Sequence, residues 1–206
     1  MSDTAIAFRC NDFVLVAAAG LNAFYYIKIT DEEDKITQLD THQVIACIGE
    51  NGPRVNFTEY IKCNLALNRV RQHGRHSNCH ATANFMRGEL ASALRSREGA
   101  YQVNCLFAGY DLPASDLDDS TGGPRLYYMD YLGTLQAVPY GCHGYGGSFV
   151  TALLDRYWRP DLTPQEGLEL MQKCCDEVKR RVVISNAHFF VKVVTASGVE
   201  VVNNVH

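Results

Sequence analysis

The chain has 206 residues, 47% of them hydrophobic, and a formal net charge of −4. A chain of this length can bury roughly 70% of its unfolded surface, so we expect one domain over residues 1–206. No apolar run approaches the roughly 20 residues of a membrane span, the first residues lack a cleavable signal, and the negative charge argues against general nucleic-acid binding, so the composition predicts a soluble protein.

The first predicted element is a hairpin over residues 4–19, with its turn at Asn11-Asp12. Its first arm places Thr4 on one face with two apolar residues, and its second arm is a continuous apolar run. An apolar run is typical of a strand covered on both faces, so we expect the hairpin at the centre of a sheet. Such a hairpin also places the terminus at the edge of the core, where an N-terminal threonine hydrolase would carry its nucleophile.

A second strand pair and two helices are predicted next. Residues 20–26 have no regular pattern, whereas residues 35–39 and 44–48 indicate strands joined by a turn. The next segment has helical spacing from Gly52-Pro53 to residue 71, with arginines in its last turn. A second helix is predicted from about residue 79 to residue 97, antiparallel to the first.

The next part of the chain returns to strands. Residues 103–108 indicate a buried strand, and residues 111–123, rich in Asp, Ser and Gly, indicate a surface loop. Strands are predicted at residues 124–130 and 134–138. The glycine-rich residues 142–148 then lead into a third helix.

The fourth helix has the strongest start signal of the chain. Thr163 is predicted as the N-cap, Pro164 occupies the first position, and Glu166 follows three residues after the cap. Two strands, residues 189–195 and 199–202, complete the order. Strands, two helices, strands, two helices and strands predict an α+β fold, a four-layer alpha-beta-beta-alpha sandwich of two antiparallel sheets.

The cysteines do not indicate a reactive or metal-binding site. All eight lie mostly in apolar segments without a CxxC pair, so we expect reduced thiols, no disulfide and no zinc. In the vicinal pair Cys174-Cys175 we expect one buried and one half-covered thiol. Cys142-His143 could suggest a nucleophile and its base, but neighbours in extended backbone point to opposite faces, so a dyad is not predicted.

Two other motifs allow alternative interpretations. Residues 144–147 could bind an anion at a helix N-terminus, but the lysine and hydroxyl of a P-loop are missing, which favours close backbone packing. His73, His76 and His80 have metal-ligand spacing, but Gly74 and the loop character around them favour exposed histidines. We therefore predict no cofactor and no metal site.

Several motifs together resemble the beta subunits of the 20S proteasome, over essentially the whole chain. The resemblance lies in the hairpin, Asp34-Lys35, Gly49, Leu106-Phe-Ala-Gly-Tyr-Asp111, Leu126-Tyr-Tyr-Met-Asp-Tyr131 and His143-Gly-Tyr-Gly146. The Tyr-Tyr-Met-Asp-Tyr and Cys-His-Gly-Tyr-Gly runs are most similar to the beta subunit at the fourth ring position, which is regarded as non-catalytic. The family fold, that of the N-terminal nucleophile hydrolases, agrees with the predicted element order.

The resemblance implies that the catalytic group is absent. Active family members begin with a threonine whose hydroxyl attacks the peptide and whose amine is the base. Alignment of that start places Asp3 at the nucleophile position and Thr4 one residue later. The family's supporting aspartate and arginine fall on Ala19 and Leu21, and its later aspartate falls on Val182.

Other positions of the family site are retained. Lys35, Gly49 and Ser185 match the family, and Tyr145 occupies the place of a serine in active members. Because the family places the lysine beside the nucleophile, we expect Lys35 to lie near Asp3 and to compensate its carboxylate.

The resemblance implies a non-catalytic structural subunit that supports assembly and the chamber in which other subunits degrade proteins in the ubiquitin-dependent pathway. Its expected partners are other beta subunits in a seven-membered ring, the opposite beta ring and an alpha ring, in cytoplasm and nucleus. The alternative is an active threonine protease after processing at Thr4; the start at Met1, without a prosegment, argues against it. A free-standing enzyme would depend on Cys142 or the histidines alone.

Overall fold

The computed structural model describes residues 3–24, 27–97, 99–113, 122–182 and 188–202. These residues form two five-stranded antiparallel sheets, a two-stranded hairpin and four helices. The strands are β1 (Thr4–Arg9), β2 (Val14–Ala19), β3 (Asn22–Phe24), β4 (Ile27–Thr30), β5 (Ile36–Asp40), β6 (Gln43–Gly49), β7 (Val103–Asp111), β8 (Gly123–Met129), β9 (Leu135–Ala137), β10 (Tyr140–Gly144), β11 (Phe189–Thr195) and β12 (Gly198–Val202). The helices are α1 (Asn51–Arg71), α2 (Cys79–Ala93), α3 (Gly147–Tyr157) and α4 (Pro164–Arg181).

The N-terminal hairpin lies inside the first sheet, whose order is β10-β1-β2-β11-β12. Side chains alternate between its faces because successive residues of a strand point to opposite sides. Ile6 and Phe8 pack under α3 and α4, whereas Ala5 and Ala7 face the second sheet. The prediction of a hairpin covered on both faces is therefore confirmed.

The second sheet has the order β5-β6-β7-β8-β9, and both of its faces are also covered. Val44, Ala46 and Leu106 pack against the first sheet, and the opposite face packs under α1 and α2 through residues such as Phe57 and Met86. Two helices, two sheets and two helices thus form successive layers. This arrangement confirms the predicted α+β four-layer sandwich.

Three boundary predictions are wrong. Residues 22–24 form β3 and pair with β4, although no periodicity indicated a strand there. Residues 142–148 were predicted as a glycine-rich approach to a helix, but Tyr140–Gly144 forms β10, which pairs with β1, far away in the sequence. Helix α2 ends at Ala93 instead of residue 97, because the next four residues are exposed and have no face to pack.

The predicted loop at residues 111–123 is shorter than expected at both ends. Asp111 is the last residue of β7 and Gly123 the first of β8, and the two pair directly. Residues 114–121 lie outside the described residues. The antiparallel ladder therefore extends into a segment whose composition indicated a loop.

Helix α4 begins as predicted, with a reciprocal capping box. The Thr163 backbone N–H donates to Glu166 Oε2 at 2.8 Å, and the Glu166 backbone N–H donates to Thr163 Oγ1 at 3.3 Å. The Thr163 backbone N–H and the Thr163 hydroxyl both donate to the Glu166 carboxylate, and these two bonds lower the pKa of Glu166. None of the helices in the described ranges is long and apolar enough to cross a membrane.

Candidate functional site

The site contains a buried ion pair at the nucleophile position expected from the resemblance. Asp3 directly precedes β1 in the first sheet, and Lys35 directly precedes β5 in the second. Lys35 Nζ donates to Asp3 Oδ1 at 2.7 Å and to the Leu21 carbonyl oxygen at 2.6 Å. The side chains are 1% (Lys35) and 12% (Asp3) exposed. The prediction that Asp3 lies near Lys35 is confirmed, and the pair joins the two sheets.

The segment that carries Lys35 is itself held by ion pairs. Lys192 of β11 lies 2.7 Å from the Asp34 carboxylate and donates to the Ile36 carbonyl oxygen. Arg54 of α1 pairs with Glu33. These partners were not predicted, although Lys192 stands inside the apolar run of β11, where a lysine indicates a buried partner. Together they fix the position from which Lys35 reaches Asp3.

Apolar side chains occupy the three positions at which the resemblance implies supporting polar groups in active family members. Ala19 ends β2 and Leu21 follows it, and both side chains are buried in the cluster under α3 and α4. Leu21 reaches the ion pair only through its backbone oxygen. Val182 caps the C-terminus of α4 and packs against the same cluster. These three side chains supply neither charge nor hydrogen bonds, and Ser185 lies outside the described residues.

Thr4 follows Asp3 and carries a hydroxyl group. Its side chain is fully buried. It lies in β1, where it pairs with Gly144 of β10. Within the described part of the chain, Thr4 Oγ1 has no hydrogen-bond partner, and Lys35 donates to Asp3 and Leu21. The hydroxyl is therefore not linked to Lys35.

The glycine-rich stretch packs against Asp3 and against Thr4 at the start of β1. Gly144 has φ +91°, and a Cβ there would lie 1.8 Å from the Asp3 carbonyl oxygen. A Cβ on Gly146 would lie 2.9 Å from Thr4 Oγ1 and 2.8 Å from a Val178 methyl. Tyr145, between them, is 67% exposed. The predicted close backbone packing is confirmed by these contacts.

Close packing of the backbone explains why position 49 is a glycine. It ends β6 opposite Val103, with φ +153°, and a Cβ would lie 2.6 Å from the Gln102 carbonyl oxygen. The hydrogen bonds of the described residues do not connect it to Lys35. We assign Gly49 to close backbone packing at the end of β6.

Cys142 and His143 do not form a dyad. Cys142 packs in the cluster under α3 and α4, whereas His143 stacks on Tyr128 with ring centroids 4.1 Å apart. His143 Nε2 lies 3.2 Å from the Cys105 carbonyl oxygen. Burial raises the pKa of Cys142 to about 12 and lowers the pKa of His143 to about 4. At neutral pH the pair is a thiol and a neutral imidazole.

We expect His143 to weaken the fold as the pH falls. Its pKa is about 4 when folded and about 6.5 when unfolded, so the unfolded chain binds the proton first. Below pH 6.5 the free energy of unfolding should therefore decrease, by about 3 kcal/mol in total once the pH passes through the folded pKa. Urea titrations of the full-length chain between pH 7 and pH 4 measure this decrease.

The control for that experiment is His143→Phe, which keeps a ring beside Tyr128 but cannot titrate. Asp130 opposes the effect of burial on the His143 pKa and is present in both proteins. The difference between the two pH profiles gives the contribution of His143 to the pH dependence of the free energy of unfolding. Identical profiles would contradict the assignment.

The three histidines with metal-ligand spacing, His73, His76 and His80, are exposed. His76 Nδ1 lies 2.7 Å from an Asp40 carboxylate oxygen. Within the residues that the structure describes, no group of three or more His, Cys, Asp or Glu could hold a metal ion.

The expectation for Cys174 and Cys175 is wrong, because both thiols are fully buried. Helix α4 packs against β2 on one side and α3 on the other, so two adjacent positions of the helix are covered. All eight cysteines lie in the described residues and carry free thiols.

Comparison with known proteins gives a consistent result. A family model described as "Proteasome subunit" matches residues 1–194. Proteasome subunit beta type-2 of Trypanosoma brucei brucei is 69% identical over 205 residues, which covers 100% of each chain. Proteasome subunit beta type-2 of Dictyostelium discoideum is 41% identical, over 97% of this chain and 96% of that protein. Proteasome subunit beta type-4 of Saccharomyces cerevisiae is 37% identical, over 98% of each.

Proposed function

This chain belongs to the proteasome subunit family and is a beta subunit, and we propose that it is a non-catalytic, structural member of the beta ring. The observation that carries the proposal is the buried ion pair of Asp3 and Lys35 at the nucleophile position. An aspartate carboxylate has no hydroxyl to deprotonate. Its charge also neutralises the lysine that would otherwise activate a threonine.

The surroundings of the ion pair support the same proposal. Ala19 and Leu21 are buried and apolar where active family members have an aspartate and an arginine. A catalytic constellation that has lost several members retains little activity, because its members act as a unit. The chain keeps the sandwich and the lysine, but it lacks the reacting group.

As a ring subunit, the chain would contact other beta subunits in a seven-membered ring, the opposite beta ring and an alpha ring. Large apolar side chains are exposed on well-separated elements, among them Ile27 and Ile29 on β4, Val70 on α1 and Tyr157 on α3. Exposed apolar side chains on several faces suit a protein that is buried on several sides, since obligate interfaces bury about 2,000 Å² or more. We place this function in ubiquitin-dependent protein degradation in the cytoplasm and nucleus.

The alternative is a threonine protease produced by cleavage before Thr4. That cleavage would remove Asp3, the partner of Lys35, and it would need to expose a hydroxyl that is fully buried in β1. The intact mass of the subunit in the purified complex distinguishes the two functions. A mass that includes Asp3 supports the structural role, and a chain that starts at Thr4 supports the protease.

We expect that Asp3→Thr alone does not create a protease. The nitrogen of the new threonine would remain in an amide bond to Ser2 and could not act as the base. Ala19 and Leu21 would still lack polar groups. Peptide hydrolysis by this subunit should therefore remain about 10³-fold or more below that of an active threonine subunit.

The measurement is made in the assembled complex, with the active subunits silenced. Hydrolysis and covalent labelling by a threonine-directed inhibitor are recorded for Asp3→Thr, with Asp3→Ala as the matched variant without a hydroxyl. Both variants should give the same background. Inhibitor labelling of the Asp3→Thr subunit, without labelling of Asp3→Ala, would overturn the proposal.

A further inference from the structure

Two cysteines lie directly opposite each other in the middle of the second sheet. Cys47 of β6 pairs in register with Cys105 of β7, and their Sγ atoms are 3.4 Å apart. Both residues are fully buried under α1 and α2. Among the strand pairings described, this is the one register position occupied by cysteine on both strands.

The backbone at this position is compatible with a disulfide. Directly opposed residues of antiparallel strands have Cα atoms about 4.5 or 5.5 Å apart, and both spacings lie within the range found for disulfides. A covalent bond needs the sulfur atoms to approach to about 2.05 Å, which is a small movement from their present contact. The register of β6 and β7 need not change.

We propose that Cys47 and Cys105 form an oxidative modification site, which closes to an intrachain disulfide when the chain meets a disulfide oxidant before α1 and α2 cover the second sheet. The fold does not need this bond, since both thiols are free in the structure. The bond is therefore expected only in chains that met an oxidant before assembly.

The timing follows from the position of the pair. Both thiols lie on the face of the second sheet that α1 and α2 cover, so they are accessible while this helix layer is absent, even where β6 and β7 already pair. The hydrogen bond with the Cys47 thiol, together with burial, also raises the pKa of Cys105, which removes the thiolate needed for exchange. In the folded subunit the pair is therefore protected from oxidants.

Glutathione disulfide is a sufficient oxidant. The thiolate of one cysteine attacks a sulfur of glutathione disulfide, forms a mixed disulfide and releases one glutathione thiolate. The thiolate of the other cysteine attacks the mixed disulfide, forms the Cys47–Cys105 bond and releases the second glutathione. The protein loses two protons and two electrons, and one glutathione disulfide becomes two glutathione molecules.

A competing pair makes the proposal testable. Cys63 and Cys79 are much closer in sequence than Cys47 and Cys105, which are 58 residues apart. Loop-closure entropy favours the Cys63–Cys79 bond by about sevenfold in a chain without structure. In the fold, Cys63 is exposed on α1 and Cys79 is buried at the start of α2. An excess of Cys47–Cys105 therefore shows that the sheet register selected the bond.

The experiment refolds the urea-denatured full-length chain in a buffer of reduced and oxidised glutathione, which allows bonds to exchange. Disulfide-linked peptides are then quantified by mass spectrometry. We expect Cys47–Cys105 to exceed Cys63–Cys79 at least tenfold after refolding, and to be the minor bond when the urea is kept. Refolding together with the other subunits of the complex makes the result independent of the stability of the free chain.

Two variants and the native complex complete the test. Cys105→Ala should abolish the linkage, whereas Cys63→Ser, which changes an exposed cysteine, should leave its yield unchanged. The folded complex exposed to the same buffer should keep Cys47 and Cys105 reduced. A refolded sample with the same bond ratio as the sample kept in urea would overturn the proposal, and rapid linkage in the folded complex would overturn its timing.

Discussion

Lys35→Met is expected to lower the free energy of unfolding by about 3 kcal/mol, because it leaves the Asp3 carboxylate without its partner. Asp3→Asn should lower the free energy of unfolding by a similar amount, because the Lys35 side chain is 1% exposed and would keep an unpaired charge. The double variant should be less destabilised than the sum of the two, because no buried charge remains. Hydrogen exchange of the β1 and β5 amides in the assembled complex measures these energies.

The chain offers a matched control in an exposed ion pair. Lys28 Nζ lies 2.5 Å from an Asp31 carboxylate oxygen, with side chains 54% and 35% exposed. Lys28→Met should lower the free energy of unfolding much less than Lys35→Met, because water and salt screen exposed pairs. Equal costs for Lys28→Met and Lys35→Met would contradict the assignment of a buried, functionally placed ion pair. Additive costs of Asp3→Asn and Lys35→Met would show that the two residues do not interact.

Gly144→Ala is expected to destabilise the subunit by about 3 kcal/mol or more. At φ +91° an alanine is strained, which costs about 1–2 kcal/mol, and its Cβ would overlap the Asp3 carbonyl oxygen at 1.8 Å. That oxygen belongs to the backbone, so relief requires β1 and β10 to separate, at a cost typical of overpacking, about 1–3 kcal/mol. The same hydrogen exchange experiment measures the loss, which should be largest at β1 and β10.

Gly88→Ala is the matched control for this substitution. Gly88 lies in α2, and a Cβ there would meet no atom within 4 Å. Alanine stabilises a helix relative to glycine by about 0.5–1 kcal/mol, so this variant should be slightly more stable than the natural chain. A Gly144→Ala subunit as stable as Gly88→Ala would show that Gly144 does not pack against the Asp3 carbonyl oxygen as described.

Local patterns were sufficient where neighbouring residues determine the structure. The alternation of side chains in residues 4–9 separates Ile6 from Ala7, and the two face different layers. Thr163 and Glu166 bond to each other within one turn, so three residues of sequence predicted the start of α4. Motif resemblance also placed Asp3 beside Lys35, which no local pattern would indicate.

Long-range contacts determine the features of the fold that the sequence patterns did not predict. β10 was missed because glycines hide its periodicity and its stability comes from pairing with β1. Cys175 is buried in a helix that packs against both β2 and α3, whereas a single amphipathic stripe would leave it half-exposed. Such contacts depend on which elements meet in three dimensions, and a pattern along one element does not contain that information.

The sequence by itself determined the layer order and the start of α4, and the resemblance of its motifs predicted Asp3 at the nucleophile position. Only the tertiary structure decided that Lys35 is shared between Asp3 and the Leu21 carbonyl, and that Lys192 holds the segment beside it. The physical reason is the energetics of burial. A charge enclosed between two sheets must find its partners among the groups that the fold brings within about 3 Å, and these come from strands far apart in the chain.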